Sequence, residues 1–431
     1  MRMRIAIVGT GIAGNVAASR LHKAGHDIVV FEANNHAGGH THTHRIEMDG
    51  EVQHVDTGFI VFNDWTYPRF VALLKELAVE WRSTSMSFSV RNASTGLEYN
   101  GTSIDSLFAQ RRNLLRPSFL GMLVDIVRFN ARARRLLGQD SADITLGEFL
   151  QTGRFGQRFI DDYLLPMSAA IWSTDPDCML RFPAHFVVRF MHNHGLLSIH
   201  HRPSWCVIEG GSARYLDRLV APWRDRIRLN SPVELVRRLP DAVQVFVRGH
   251  APERFDHVFL ACHADQALRM LADPSPQERE ILGALPYQRN DVVLHTDTSL
   301  LPANRKCWAA WNYHACEPMR TGRPSRVALT YNMNILQGLS SQHTFCVTLN
   351  ASHRIDPRKV IKRLRYDHPL FTPAGVAAQE RHDEISGVRR THYCGAYWRY
   401  GFHEDGVVSA LAALRRFEEG RDAQRHLYRV G

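Results

Sequence analysis

Residues 4–32 read "RIAIVGTGIAGNVAASRLHKAGHDIVVFE". The opening "RIAIV" is a short apolar, β-branched run, the pattern of a buried strand. Gly9-Thr-Gly11-Ile12-Ala13-Gly14 follows, a G-x-G-x-x-G. Val16, Ala17, Leu21 and Ala24 then recur at helical spacing, and Gly25 is a natural stop. "DIVVFE" is a second strand that ends in Glu32. Gly9 permits the tight turn, Gly11 lets backbone N–H groups approach a pyrophosphate, and Gly14 lets the helix pack close to the sheet. The helix start adds free N–H groups and a positive dipole end. Glu32 stands about 20 residues past Gly11, where a carboxylate accepts hydrogen bonds from a ribose diol. A lone G-x-G-x-x-G is weak; strand, motif, helix, strand and terminal acid in that order are strong.

The next motif is "GGHTHTH", residues 38–44. In a strand, alternation would put His40, His42 and His44 on one face, and imidazole suits zinc, copper, iron or nickel. Side chains on one face of one strand point roughly parallel, however, and a zinc site usually draws on more than one element. With 24 histidines in the chain, clusters also arise without purpose. No metal is expected.

Gly38-Gly39 after Glu32 resembles the flavin-containing amine oxidase superfamily, which includes protoporphyrinogen oxidases and phytoene desaturases. There the acid is followed by Gly-Gly-Arg, in a loop that covers the phosphates of FAD. Here His40 stands in the arginine's place, and a histidine is only partly protonated near neutral pH. Asp56-Thr57-Gly58 in "HVDTGFIVFN" resembles the family's D-x-G stretch beside the flavin. The resemblance implies non-covalent FAD. It implies contacts from Gly9, Gly11, Ile12, Ala13, Gly14, Glu32, Ala33, Gly38, Gly39, His40, Thr41, Thr57, Gly58 and Phe59.

The end of the chain should then return to the cofactor. "THYCGAYWRYGFHEDGVVSALAALRRF" (391–417) reads as a strand, an aromatic loop and a helix with Val407, Ala410, Leu411 and Leu414 on one face. Gly395 and Gly406 resemble the glycines that end that strand and open that helix in relatives. Glu404 and Asp405 sit at the helix start, where the dipole favours acids, and His403 precedes them. Many relatives carry an acid after the first glycine to hold the ribityl chain; Ala396 is here instead. In the middle, "VIEGGSARYLDRLV" resembles the family's Gly-Gly segment, and "IRLNSPVELVRRLPDAVQVFV" reads as paired strands around "SPV", with Val233 in the place of a valine that meets adenine. "VFLAC" fits a central sheet position.

The expected fold is α/β: a Rossmann-like FAD-binding domain of 1–65, 206–270 and 385–431, interrupted by an α+β substrate domain of 66–205 and 271–384. Residues 66–205 read as mostly helical. "DVVLHTD", "RVALTYNMN" and "TFCVTLN" suggest a small sheet roofing a pocket.

A narrower resemblance lies in "AAIWS", "HPLFTP" and "GAYWRYGFHEDG". These are similar to a bacterial branch of FAD-binding proteins often associated with cyclopropane-fatty-acid-type lipid methyltransferases, which implies an acyl-lipid substrate. The expected reaction is a two-electron oxidation, C–C to alkene or C–N to imine, with a small amine as the alternative substrate and a non-catalytic FAD-binding protein as a further one. Tyr397, Trp398 and His403 are the catalytic candidates: an aromatic wall and an acid or base. Trp172 is a candidate for pocket or core. No lysine sits in an amine-oxidase-like motif, and no cysteine motif suggests covalent flavin.

The net charge is +10. Residues 104–137 hold seven arginines against Asp105 and Asp125. This is either a solvated helix face or a surface for anionic lipid; no nucleic-acid motif accompanies it. No apolar run reaches about 18 residues, the first strand begins at Arg4, where a cleaved leader would remove it, and seven cysteines without C-x-x-C fit reduced thiols. The expected location is cytoplasmic, with peripheral contact at the inner membrane face as the alternative. The oligomeric state is not legible.

Overall fold

A computed structural model describes residues 2–138, 144–198, 202–315 and 328–430. Five parallel strands form the first sheet, in the order Ile227–Arg228, Asp27–Phe31, Arg4–Val8, His257–Leu260 and Thr391–Tyr393. In chain order this is 3-2-1-4-5, the doubly-wound arrangement. It explains the unbroken apolar runs, because both faces are covered. Ile5, Ile7, Ile28, Val30 and Phe259 pack under the helix Ile12–Lys23 and the last helix, His403–Val430, through Val16, Ala17, Val407 and Leu414. Ala6, Val8, Val29, Phe31, Val258 and Leu260 pack the other way, onto Val243, Val245 and Phe255 of a three-stranded layer. Burial of each large side chain contributes about 1.5–3 kcal/mol.

"SPV" turns out differently from the expectation. Ile227–Arg228 joins the parallel sheet, while Val233–Arg238 pairs antiparallel with Val243–Val247. The chain turns away between them at Asn230, whose φ is 50°, and Pro232 has no N–H to give to a ladder.

The second sheet has seven strands: Val360–Pro369, Tyr287–His295, Cys346–Leu349, Ala328–Asn332, Trp311–Ala315, Phe88–Asn92 and Leu97–Asn100. It is larger than expected, and its last two strands come from the region read as helical. That hairpin is seated because Val90, Leu97 and Tyr99 bury against Phe119, Phe159 and their neighbours in the helical core. Beside it run the short helix Ile104–Leu107, the turn Arg111–Leu115 and the helix Pro117–Leu136. No helix among the described residues is long and apolar enough to cross a membrane.

Candidate functional site

A cavity of about 1620 Å³ opens at the carboxyl ends of Arg4–Val8 and His257–Leu260. Chain order reverses between these two strands, the place where such sheets bind ligands. Ligand clefts commonly measure about 300–1,000 Å³, so there is room for a dinucleotide and a second molecule.

Gly9 begins the turn with φ at 102°, a region that L side chains avoid. A Cβ on Gly14 would stand 2.0 Å from the Gly9 carbonyl oxygen. A Cβ on Gly11 would meet nothing within 4 Å, because that side faces the cavity. No side chain caps the helix at Gly11 and no acid sits in its first turn, which leaves its N–H groups for an anion. Glu32 is buried with one oxygen accepting from the Thr10 N–H at 3.0 Å and the other from the Asn34 N–H and side-chain amide, both at 2.9 Å. Asn34 is exposed, so of these donors its amide is the one a ribose diol can displace. The Gly38 N–H donates to the Thr10 carbonyl at 3.1 Å, folding the second glycine loop onto the first. Open space at Gly11, an uncapped helix start and an acid at the end of the second strand all fit the ADP part of FAD.

The histidine loop does not form a strand until Thr43, and His40 parts from the other two imidazoles. His40 lines the cavity, 4.7 Å from the Tyr366 ring and 5.3 Å from that of His368. Its Nε2 is buried without a hydrogen-bond partner. Burial, followed by His368, His263 and His403, holds it well below the ordinary histidine range. That burial opposes the partial cation expected in place of the arginine. His42, also at the cavity, stacks on His36 and tilts against His44, 4.1 Å from each. Burial and these neighbours bring it down to about 3. Among the described residues no group of three or more His, Cys, Asp or Glu is placed to hold a metal ion.

Start, middle and end of the chain meet here. Gly9, Gly11, Ile12, Ala13, Glu32, Ala33, Gly39, His40, Thr57, Gly58, Phe59, Val233, Gly395, Tyr397 and His403 all line the one cavity. Gly14, Gly38, Thr41 and Gly406 stand just behind it. A Cβ on Gly406 would lie 2.6 Å from Ile12 Cγ2, so the last helix rests on the first. Thr41 lies within 3.2 Å of His403 Nε2.

Trp398 does not reach the cavity. It packs edge-on to His382 at 4.4 Å, behind Tyr397. Glu404 accepts from the Arg69 and Phe70 N–H groups at 3.0 and 2.8 Å, capping the helix Pro68–Glu76. Asp405 accepts from the Phe402 N–H at 2.9 Å, and burial pushes it up to about 7. These two acids face a separate hollow of about 320 Å³. His403 stacks on Phe59 with centroids 3.6 Å apart, and burial takes it down to about 3. Its Nε2 is also engaged by the Tyr215 hydroxyl at 2.7 Å, so the ring is held by both stacking and hydrogen bonding. Trp172 both lines the cavity and belongs to the helical core.

Sequence reasoning missed Thr10, Tyr215, Tyr287 and His263. It also missed Leu364, Tyr366 and His368, whose alternation in Val360–Pro369 was a usable signal. Asp56 proves to be a buried joint rather than a wall of the cavity. It accepts from the Ser212 N–H and hydroxyl, at 3.0 and 2.7 Å, and from the Gln337 amide at 2.8 Å. Burial still pushes it up to about 6.

The model of a family described as flavin containing amine oxidoreductase matches residues 12–330. The flavin-dependent L-tryptophan oxidase RebO of Lentzea aerocolonigenes is 42% identical over 55 residues, 13% of this chain and 12% of that protein. The 15-cis-phytoene desaturase of Synechococcus elongatus is 38% identical over 91 residues, 20% of this chain and 18% of that one. The chain thus spans under a fifth of the length of these two curated relatives. Among solved structures, cyclohexylamine oxidase from Brevibacterium oxydans shares the fold with a TM-score of 0.69 at 17% identity, over 97% of this chain and 99% of that one.

Proposed function

The chain belongs to the flavin containing amine oxidoreductase family, a flavin-dependent oxidoreductase with FAD as its cofactor, and from that premise we propose that it dehydrogenates a hydrophobic acyl-chain substrate. A C–C single bond would become an alkene, losing two electrons and two protons. FAD, when bound, supplies the acceptor for the hydride equivalent. Residues 1–65, 206–270 and 385–431 would hold it, with Gly11 at the phosphates, Glu32 at the ribose and Val233 near the adenine. Residues 66–205 and 271–384 would hold the substrate. The unpartnered His40 Nε2 and Tyr397 hydroxyl are free to hydrogen-bond whatever enters.

One observation carries the substrate class. Residues 66–205 bring Met86, Phe88, Tyr99, Met167, Ile171 and Trp172 to the cavity and, among the described residues, no carboxylate. From 271–384 the only lining acid among the described residues is Asp367, which lies 3.7 Å from the exposed Arg289 and has one oxygen without a hydrogen bond. An ammonium group would find a single carboxylate there, already beside Arg289, whereas an acyl chain gains about 0.8 kcal/mol per buried methylene. Arg202, exposed at the rim, makes no ion pair among the described residues, and so can meet an anionic head.

A small amine is the second reading, in keeping with the substrate in cyclohexylamine oxidase's name. Anaerobic mixing separates the two. Fatty acids or phospholipids in detergent should bleach the flavin absorbance while cyclohexylamine leaves it intact; bleaching by the amine alone would overturn the acyl reading.

A further inference from the structure

We propose that residues 104–135 form a surface that seats on an anionic phospholipid bilayer, with a mouth of the cavity beside it. Eleven large hydrophobic residues are exposed among those described, and six of them fall in this short stretch: Ile104 at 79%, Leu114 at 49%, Leu115 at 88%, Leu120 at 40%, Val124 at 60% and Val127 at 57%. The helix Pro117–Leu136 already buries a full apolar face, through Phe119, Met122, Phe129, Ala133 and Leu136. Leu120, Val124 and Val127 recur at i, i+4 and i+7 on the opposite side, where a helix on a soluble surface carries charge. Two apolar faces on one helix imply two apolar surroundings, one of them the protein core.

The charges are sorted along the helix. The exposed stripe is uncharged from Pro117 to Val127, and arginines 128, 132, 134 and 135 crowd its end. Asp105 pairs with Arg111, tying the helix Ile104–Leu107 to the turn Arg111–Leu115, and Asp125 pairs with Arg128. Arginines 112, 116, 132, 134 and 135 make no ion pair among the described residues. Aliphatic side chains ringed by unneutralised arginines match the boundary between headgroups and acyl chains in an anionic leaflet. A second copy of this face would set arginine against arginine, so the bilayer is the occupant the charge favours.

The position relative to the cavity fits. Phe88, Tyr99, Gly101 and Thr102 line it; Gly101 and Thr102 are exposed, and Ile104 follows two residues later. The docking stands on the surface alone; only the use of this mouth as a substrate entry rests on the acyl-chain reading.

The test is co-sedimentation of the FAD-loaded protein with vesicles of phosphatidylcholine alone or mixed with phosphatidylglycerol. Wild type should sediment with the mixed vesicles, less with pure phosphatidylcholine, and less as salt is added. The doubly substituted Leu115→Asp, Val124→Asp protein should bind the mixed vesicles about tenfold more weakly or worse, with an unchanged melting temperature and flavin spectrum, because both side chains are exposed. Arg132→Glu with Arg135→Glu should remove the preference for phosphatidylglycerol. Failure of wild type to sediment, or sedimentation of the aspartate variant like wild type, overturns the inference. Flavin bleaching by detergent-dispersed acyl substrate is read in parallel, so loss of docking with bleaching intact leaves the substrate reading standing.

Discussion

The Tyr215 hydroxyl lies 2.7 Å from His403 Nε2, in a hydrogen bond that spans 188 residues of sequence. Tyr215 belongs to the helix after the Gly210-Gly211 pair and His403 begins the last helix; Thr41 touches both. One buried polar triangle thus pins the middle and the end of the chain to the loop over the amino-terminal turn. Tyr215→Phe leaves the ring packed and two polar groups without this partner. Thermal or denaturant unfolding of the apoprotein should show a loss of about 1–3 kcal/mol. A change within about 0.5 kcal/mol would mean the triangle holds nothing.

Gly11 and Gly14 should respond oppositely to alanine. At Gly14 the added methyl collides with the Gly9 carbonyl, and the variant should unfold at least about 1–3 kcal/mol more easily. At Gly11, where φ is −62° and the space is open, the apoprotein should melt like wild type while FAD affinity drops about tenfold or more, since the methyl occupies the pyrophosphate's approach. Calorimetric melting and FAD titration read the two effects separately.

Acid should destabilise the apoprotein. Burial holds His194, His295 and His368 down to about 4 and His314 and His403 down to about 3. Unfolding frees them to protonate near 6.5, so the unfolded state binds more protons between about pH 3 and 6.5, and stability falls as pH drops through that window. Asp56 and Asp405, raised to about 6 and about 7, act in the opposite sense from about pH 4 upward and are fewer. Urea unfolding at pH 7 and pH 5 should give the higher midpoint at pH 7; equal midpoints would mean these rings are not buried neutral.

Asp56→Ala should cost more than the loss of one hydrogen bond. It strands the Ser212 N–H and the Gln337 amide in a buried joint between the second glycine pair and the seven-stranded sheet. About 3 kcal/mol or more is expected, read as a lowered unfolding midpoint, with Asp56→Asn closer to wild type because its amide oxygen still accepts.

What the sequence made legible follows from how local the constraint is. Residues 4–32 could be read because turns and close approaches require glycine at fixed places, and because parallel strands covered on both faces are continuous apolar runs. The last loop and helix could be placed by resemblance. The protonation of His40 could not be read, since it is opposed first by burial and then by His368 and His263, which arrive from far along the chain. Nor could the direction of Trp398, set by a short turn at Ala396–Trp398 that sends Tyr397 to the cavity and its neighbour away. The stripe at Leu120, Val124 and Val127 was hidden because a helix apolar on two sides does not say which side is buried.

Absorbance of the purified, unsupplemented protein, followed by FAD titration of stripped protein, bears on the whole reading. The expected result is visible flavin bands in stoichiometric amount, released intact by denaturation and restored by added FAD in wild type but poorly in Gly11→Ala. A folded protein that is colourless, and takes up no FAD when it is supplied, would contradict the assignment of the amino-terminal turn and the last loop to one cofactor.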